Sequence, residues 1–172
     1  MAAGGIDAVT FRDVAAAAGY STAIVSHYFA DKRELLIATY RTAGHRAADR
    51  IAKVVAADPA DLLGVLEALS PQDDDRRADW RVWAAFWGGA LGDADLAAEQ
   101  RASVRDARAR VAAVLEVGGV RPGPASREAA RSLLAVLQGM ATQAIFDPED
   151  WPPDRQHQLL VRAVAAVAPA RG

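Results

Sequence analysis

The chain has 172 residues, 52% hydrophobic, with 20 Lys/Arg against 22 Asp/Glu, which suits one large domain or two small ones that share helices. The absence of cysteine excludes disulfides, thiolate metal sites and cysteine nucleophiles. The net charge of −2 is uneven: residues 1–57 carry +2 and the remainder −4, a mild asymmetry that permits nucleic-acid binding by the N-terminal part.

His27, His45 and His157 lie far apart, so neither a metal nor any other cofactor is expected. No run of about 18 apolar residues and no charged-then-apolar leader is present, which reads as a soluble cytoplasmic protein with no membrane partner.

Almost every segment reads as helix, because Ala, Leu and Arg recur at three- and four-residue spacing and β-branched alternation is absent. The fold class is therefore all-α. Thr10, with Asp13 three residues on, caps a first helix over Phe11–Ala18, and Gly19 ends it. Ser21 or Thr22 opens a second over about 22–28. Asp31 caps a long third helix running to Ala57, with Glu34 as capping-box partner. Asp58-Pro59 reads as a cap followed by proline at the first position of a short helix over about 59–69. Further helices are predicted over about 75–91, 94–117, 125–146 and 154–168. Loops at Gly118–Pro124 and Asp147–Pro153 separate the last three. The natural domain boundary falls inside the long helix, dividing the chain into 1–45 and 46–172.

Two short helices joined by a glycine turn describe a helix-turn-helix, whose second helix enters the major groove of double-stranded DNA. Thr22, Ala23 and Ser26 are small or polar, as base readout requires. His27 and Tyr28 can donate to phosphate, and Lys32 at the start of the long helix suits another phosphate. An ordinary helical hairpin shows the same periodicity, so spacing alone leaves both readings open.

The stretch "TFRDVAAAAGYSTAIVSHYFADKRELLIATY" resembles the DNA-binding region of TetR-type transcriptional repressors. Thr10, Val14, Ala15, Ala18, Gly19, Ser21, Tyr28, Phe29, Lys32, Leu35 and Leu36 stand where that pattern wants them. The resemblance implies a helix-turn-helix domain followed by a helical ligand-binding and dimerisation domain. Such a protein is a repressor released from operator DNA by a small-molecule inducer, and not an enzyme. It also implies that Thr10, Ser21, Thr22, Ala23, Ser26, His27, Tyr28 and Lys32 meet the DNA. "SHYF" together with Trp83–Trp87 is similar to the betaine-synthesis repressor branch. The family has a further helix before Gly5-Ile6-Asp7. Nine residues before Thr10 do not supply it, so a truncated or misassigned start is expected, with weakened operator binding.

A bundle enzyme is the alternative from another class. Asp73, Asp74 and Asp75 are the only dense carboxylate cluster. They precede a helix, where acids cap and solvate, and no Glu-x-x-His pair accompanies them.

The C-terminal helices carry two further expectations. Leu133, Leu137 and Met140, with Leu160, Val164 and Val167 on the last helix, form apolar seams that would close a homodimer or face their own core. Trp80, Trp83 and Trp87 share one helical face. They read either as a core stripe or as the wall of a ligand pocket, in which aromatic faces would attract a choline-like quaternary ammonium. Glu116, Gln138, Gln143 and Phe146 are further pocket candidates, because polar or bulky residues there interrupt apolar faces.

Overall fold

The computed structural model describes residue 21 and residues 27–167. The expected helices at Phe11–Ala18 and about 22–28, and the reading positions Thr10, Thr22, Ala23 and Ser26, lie outside the described residues. Within them are six helices and no strand: α1 (Lys32–Ala57), α2 (Leu62–Leu69), α3 (Asp74–Ala90), α4 (Ala94–Val117), α5 (Pro124–Phe146) and α6 (Pro153–Val167).

Side-chain caps start four of these helices. The carboxylates of Asp31, Asp61, Asp73 and Asp93 accept backbone N–H groups from Glu34, Gly64, Arg76, and Asp95 with Leu96. Each satisfies an amide that the first turn leaves without an intrahelical partner. At α1 the Glu34 carboxylate also reaches back, accepting from the Ala30 N–H at 2.7 Å. Asp58 does not start the short helix as Asp58-Pro59 suggests. It closes α1, its N–H donating to Val54, and its carboxylate turns the chain by accepting from Ala60. The cap moves three residues on to Asp61, which folds so closely over Gly64 that a Cβ there would lie 2.1 Å from its Oδ2. Gly123 precedes α5 at φ +106, a conformation that favours glycine.

The helices enclose one large core. It runs from Ala47 and Ile51 of α1 through Val65 and Leu66 of α2 and Trp80 of α3. From there it continues to Val111 and Leu115 of α4, Leu133, Leu137 and Met140 of α5, and Leu160 of α6. A smaller cluster sits at the start of α4, where Tyr40, Phe86 and Leu96 are buried and the Tyr40 and Phe86 rings stack at 4.0 Å. Among the described residues no helix is long and apolar enough to cross a membrane.

The interface expectation is corrected at four positions. Leu133, Leu137, Met140 and Leu160 are already closed over by their own chain, each at most 2% exposed. Val164 and Val167 are half-buried against the same core. The apolar periodicity of α5 and α6 thus describes the intrachain face. Leu133→Ala should lower unfolding free energy by about 2–5 kcal/mol, the range for emptying a packed leucine site, measured by urea titration. A loss under about 1 kcal/mol would contradict this placement.

Candidate functional site

The three tryptophans are both core and wall. Helical spacing puts Trp80, Trp83 and Trp87 on the inner face of α3. The Trp80 ring stands edge-on to both others, with centroids 5.1 Å from Trp83 and 6.0 Å from Trp87. Together they line a cavity of about 100 Å³ between α1, α3, α4 and α5. Tyr40, Gly44, Ala47, Ala48 and Ile51 supply the α1 wall, and Gln100, Ser103, Ala107, Arg110 and Val111 supply that of α4. Leu134, Leu137 and Gln138 close it from α5. An apolar cavity of roughly 150 Å³ holds benzene, so this one suits a compact ligand of a few heavy atoms.

Towards solvent the cavity shares Tyr40, Gly44, Ala48, Ser103 and Arg110 with a more polar hollow of about 240 Å³, which Arg41, His45, Glu99 and Asp106 complete. Glu99 takes a bidentate pair from Arg41, both bonds at 2.7 Å. That hydrogen bonding holds the Glu99 carboxyl below its ordinary value, with the Arg41 charge adding and partial burial opposing. Burial pushes the Tyr40 phenol up, against the Ser103 hydrogen bond and with the Glu99 charge adding. Tyr40 therefore stays protonated and donates to Gln100 Oε1.

The walls are held in place by polar groups outside the cavity. Asp79, fully buried beside Trp80 in sequence, accepts from Arg46 Nε at 2.9 Å, from Arg46 Nη2, and from Arg50 Nη2 at 2.9 Å. The last carbonyls of α2 are claimed by three side chains. Arg76 takes Glu67, Arg50 takes Ala68 at 3.0 Å, and Trp80 Nε1 takes Leu69 at 2.6 Å. These are the groups that a helix C-terminus leaves unsatisfied. Nearer the start of α1, Arg33 pairs with Asp93 and Asp95 at 2.9 and 2.6 Å.

Of the expected pocket residues, Trp80, Trp83, Trp87 and Gln138 meet at the cavity. The other three are corrected. Glu116 accepts the Ser126 hydroxyl at 2.6 Å and so ties α4 to the start of α5. Gln143 is exposed and bonds only its own helix, at the Gly139 carbonyl. Phe146 is 80% exposed at the end of α5. Tyr40, Gln100, Ser103 and Arg110 were not anticipated. Their signal is the spacing of Gln100, Ser103, Ala107 and Arg110, which puts polar residues on one otherwise apolar face of α4.

Of the expected DNA contacts within the described residues, Ser21, His27 and Tyr28 are exposed, with the His27 and Tyr28 rings edge-on at 5.5 Å. Lys32 is the first residue of α1. Among the described residues no cluster of His, Asp or Glu could hold a metal.

A long helix that walls an internal cavity and continues from a helix-turn-helix pattern is the arrangement of a DNA-binding regulator. Residues 1–39 match the family of bacterial regulatory proteins, tetR family, and residues 59–169 match the BetI-type transcriptional repressor, C-terminal. The chain is 34% identical over 146 residues to the HTH-type transcriptional regulator BetI of Burkholderia ambifaria, covering 79% of this chain and 71% of that protein. It is 30% identical over 145 residues to the regulator of the same name from Cronobacter sakazakii, covering 81% and 71%. A transcriptional regulator from a Rhodococcus species superposes with a TM-score of 0.85 at 30% identity, over 96% of this chain and 88% of that one. A transcriptional regulator from Saccharomonospora viridis, solved in complex with choline, shares the fold with a TM-score of 0.74 at 22% identity, over 95% and 88%. The chain belongs to the TetR family of DNA-binding transcriptional regulators, in its BetI-type repressor branch, and is not an enzyme.

Two outcomes follow from the polar clamps. Arg46→Met with Arg50→Met leaves the Asp79 carboxylate buried without a partner, which costs about 3–5 kcal/mol. Asp79→Asn costs less, because the Arg46 side chain is 53% exposed and reaches water. Urea unfolding should return that order, and the reverse would rule out the clamp as described. Glu99 has a lowered folded-state pKa, so its stabilisation is complete above the ordinary value of 4.5 and is lost as pH falls through the lowered one. The thermal-midpoint difference between wild type and Arg41→Gln should shrink over that interval, and a constant difference would exclude the assignment.

Proposed function

We propose that the chain is a homodimeric repressor that releases its operator when a small ligand with a quaternary ammonium head enters the tryptophan-lined cavity. One observation carries this reading: Trp80, Trp83 and Trp87 present three rings, one perpendicular to the other two, to a space whose opposite wall is α1. Aromatic faces attract a desolvated cation by roughly 2 kcal/mol or more. The choline complex of the Saccharomonospora viridis regulator supports the same ligand class.

Ligand and DNA are coupled because α1 begins at Lys32, directly after the reading stretch, and supplies five cavity residues. A ligand acts only through different affinities for the operator-bound and released arrangements. In this reading Thr22, Ala23 and Ser26 face base edges, while Thr10, Ser21, His27, Tyr28 and Lys32 hold phosphates. Repression places the protein on operator DNA in the cytoplasm.

The dimer forms through the outer faces of α5 and α6. Ser132, Ala135, Gly139 and Phe146 make an exposed stripe on α5, and Val161 and Ala165 extend the surface on α6. Small residues at three- and four-residue spacing let two such helix pairs approach closely around a twofold axis.

Gly44 offers a direct test, because a Cβ there meets nothing within 4 Å. Gly44→Leu should fill the cavity and abolish the calorimetric heat of tetramethylammonium while operator gel shift persists. Trp83→Ala should weaken the same ligand about tenfold, the scale of one lost aromatic face, and unchanged binding in both variants would remove the cavity from the mechanism. Ala135→Arg with Gly139→Arg should sediment as a folded monomer; an unchanged dimer would exclude this face.

A further inference from the structure

We propose that the cavity is entered through the seam between α1 and α4, by way of the outer hollow, and that the Arg41–Glu99 pair is the latch on that passage. This concerns access to the cavity whatever occupies it. Its test uses a neutral probe, so its failure is distinguishable from failure of the ammonium reading above.

Two independent observations point to it. The first is a gradient of exposure across the seam. The rim of the outer hollow carries the exposed residues Arg41, His45, Asp106 and Arg110. Five residues line both the hollow and the cavity, and three of them, Gly44, Ala48 and Ser103, are small and half-buried. Deeper still are Ala47, Ile51 and Trp80, which are buried and line the cavity alone.

The second observation is open space at that divide. A Cβ on Gly44 would meet nothing within 4 Å. Protein interiors are close-packed, so an added methyl in a filled seam would touch a neighbour. Gly44 therefore marks a gap between α1 and α4 where the hollow and the cavity meet.

The other seams around the cavity are shut. The buried Asp79 joins α3 to α1 through Arg46 and Arg50, and the buried Phe86 and Leu96 pack at the meeting of α3 and α4. Val111, Leu134 and Leu137 are buried where α4 meets α5. Along α1 and α4 the side-chain ties among the described residues are Arg33 with Asp93 and Asp95, Tyr40 with Gln100, and Arg41 with Glu99. None lies beyond Arg41, so this pair is the last fastening before the gap, and it stands on the rim of the hollow. The Arg41 side chain is 58% exposed, and a solvated ion pair is weak enough to yield in local fluctuations. With the pair open, a compact molecule passes over Gly44 to the tryptophans.

Quenching of tryptophan fluorescence by acrylamide, a compact neutral molecule, reads the passage. A Trp151→Phe background leaves Trp80, Trp83 and Trp87 as the reporters. The chain has no cysteine, so Asp106→Cys supplies a single thiol on the rim, and Arg101→Cys supplies one on an exposed part of α4 that lines neither space. Coupling a polyethylene glycol maleimide at position 106 should lower the quenching constant at least about twofold, because an occluded route leaves only rarer openings. The same label at position 101 should leave it unchanged. Arg41→Gln, unlabelled, should raise the constant about two- to fivefold, the scale of one solvated ion pair. A constant unmoved by the label at position 106, or lowered equally by the label at position 101, overturns the route. A constant unmoved by Arg41→Gln overturns the latch.

Discussion

One buried carboxylate sets the geometry of the helices around the cavity. Asp79 sits on α3 without access to solvent, and an isolated charge there would be prohibitively desolvated. Two guanidiniums from α1, Arg46 and Arg50, make the position tolerable, and in doing so fix the distance between α1 and α3. Arg50 extends the constraint by also taking the Ala68 carbonyl, so the end of α2 is drawn into the same joint. Trp80 follows Asp79 in sequence and is anchored to Leu69. The aromatic wall of the cavity thus inherits its position from a charge cluster that does not line the cavity itself.

The result is a helix with two obligations. At its start α1 is held to α4 by Arg33 on Asp93 and Asp95 and by Arg41 on Glu99. Further along it is held to α3 through Asp79. The cavity-facing residues interleave with these fastenings: Tyr40 lies between Arg33 and Arg41, Gly44 between Arg41 and Arg46, and Ala47 and Ala48 between Arg46 and Arg50. Any displacement of that stretch meets fixed points on both sides, and tilting α1 requires one set of pairs to yield. The exposed α1–α4 pairs are the weaker set, since solvated ion pairs contribute little, whereas the Asp79 carboxylate is fully buried and breaking its pairs leaves an uncompensated charge.

Much of this was legible in the chain. Asp93 and Asp31 announce helix starts because a short acidic side chain before an apolar-periodic run has few other uses, and both helices begin within a residue of expectation. Asp58-Pro59 misled, because the same pair that opens one helix can close another, and only the packing of Gly64 under Asp61 decides between them. Periodicity also misled on α5 and α6. It shows that a helix has an apolar face and says nothing of whose atoms cover it, so Leu133 and Leu160 read equally as interface or core until their burial is known. The tryptophan stripe packs against the core and also lines the cavity. The α4 wall escaped notice because Gln100, Ser103 and Arg110 look like ordinary surface residues on a long polar helix. Asp79 escaped for the same reason, being one acid among many until its arginines, 29 and 33 positions away, close around it.

The separation of the apolar interior into two clusters has a kinetic side. The larger cluster spans all six helices, while the smaller rests on Tyr40, Phe86 and Leu96 with partly buried neighbours, Trp83 and Trp87 among them. Cooperative units with few buried contacts open at lower free energy than the whole domain. The end of the bundle at the starts of α1 and α4 is therefore its softer end. On that ground amides at the starts of α1 and α4 are expected to exchange with solvent faster than those in the middle of α5. Because Trp83 and Trp87 pack against both clusters, a local opening at that end would uncover the cavity while the larger cluster stays closed.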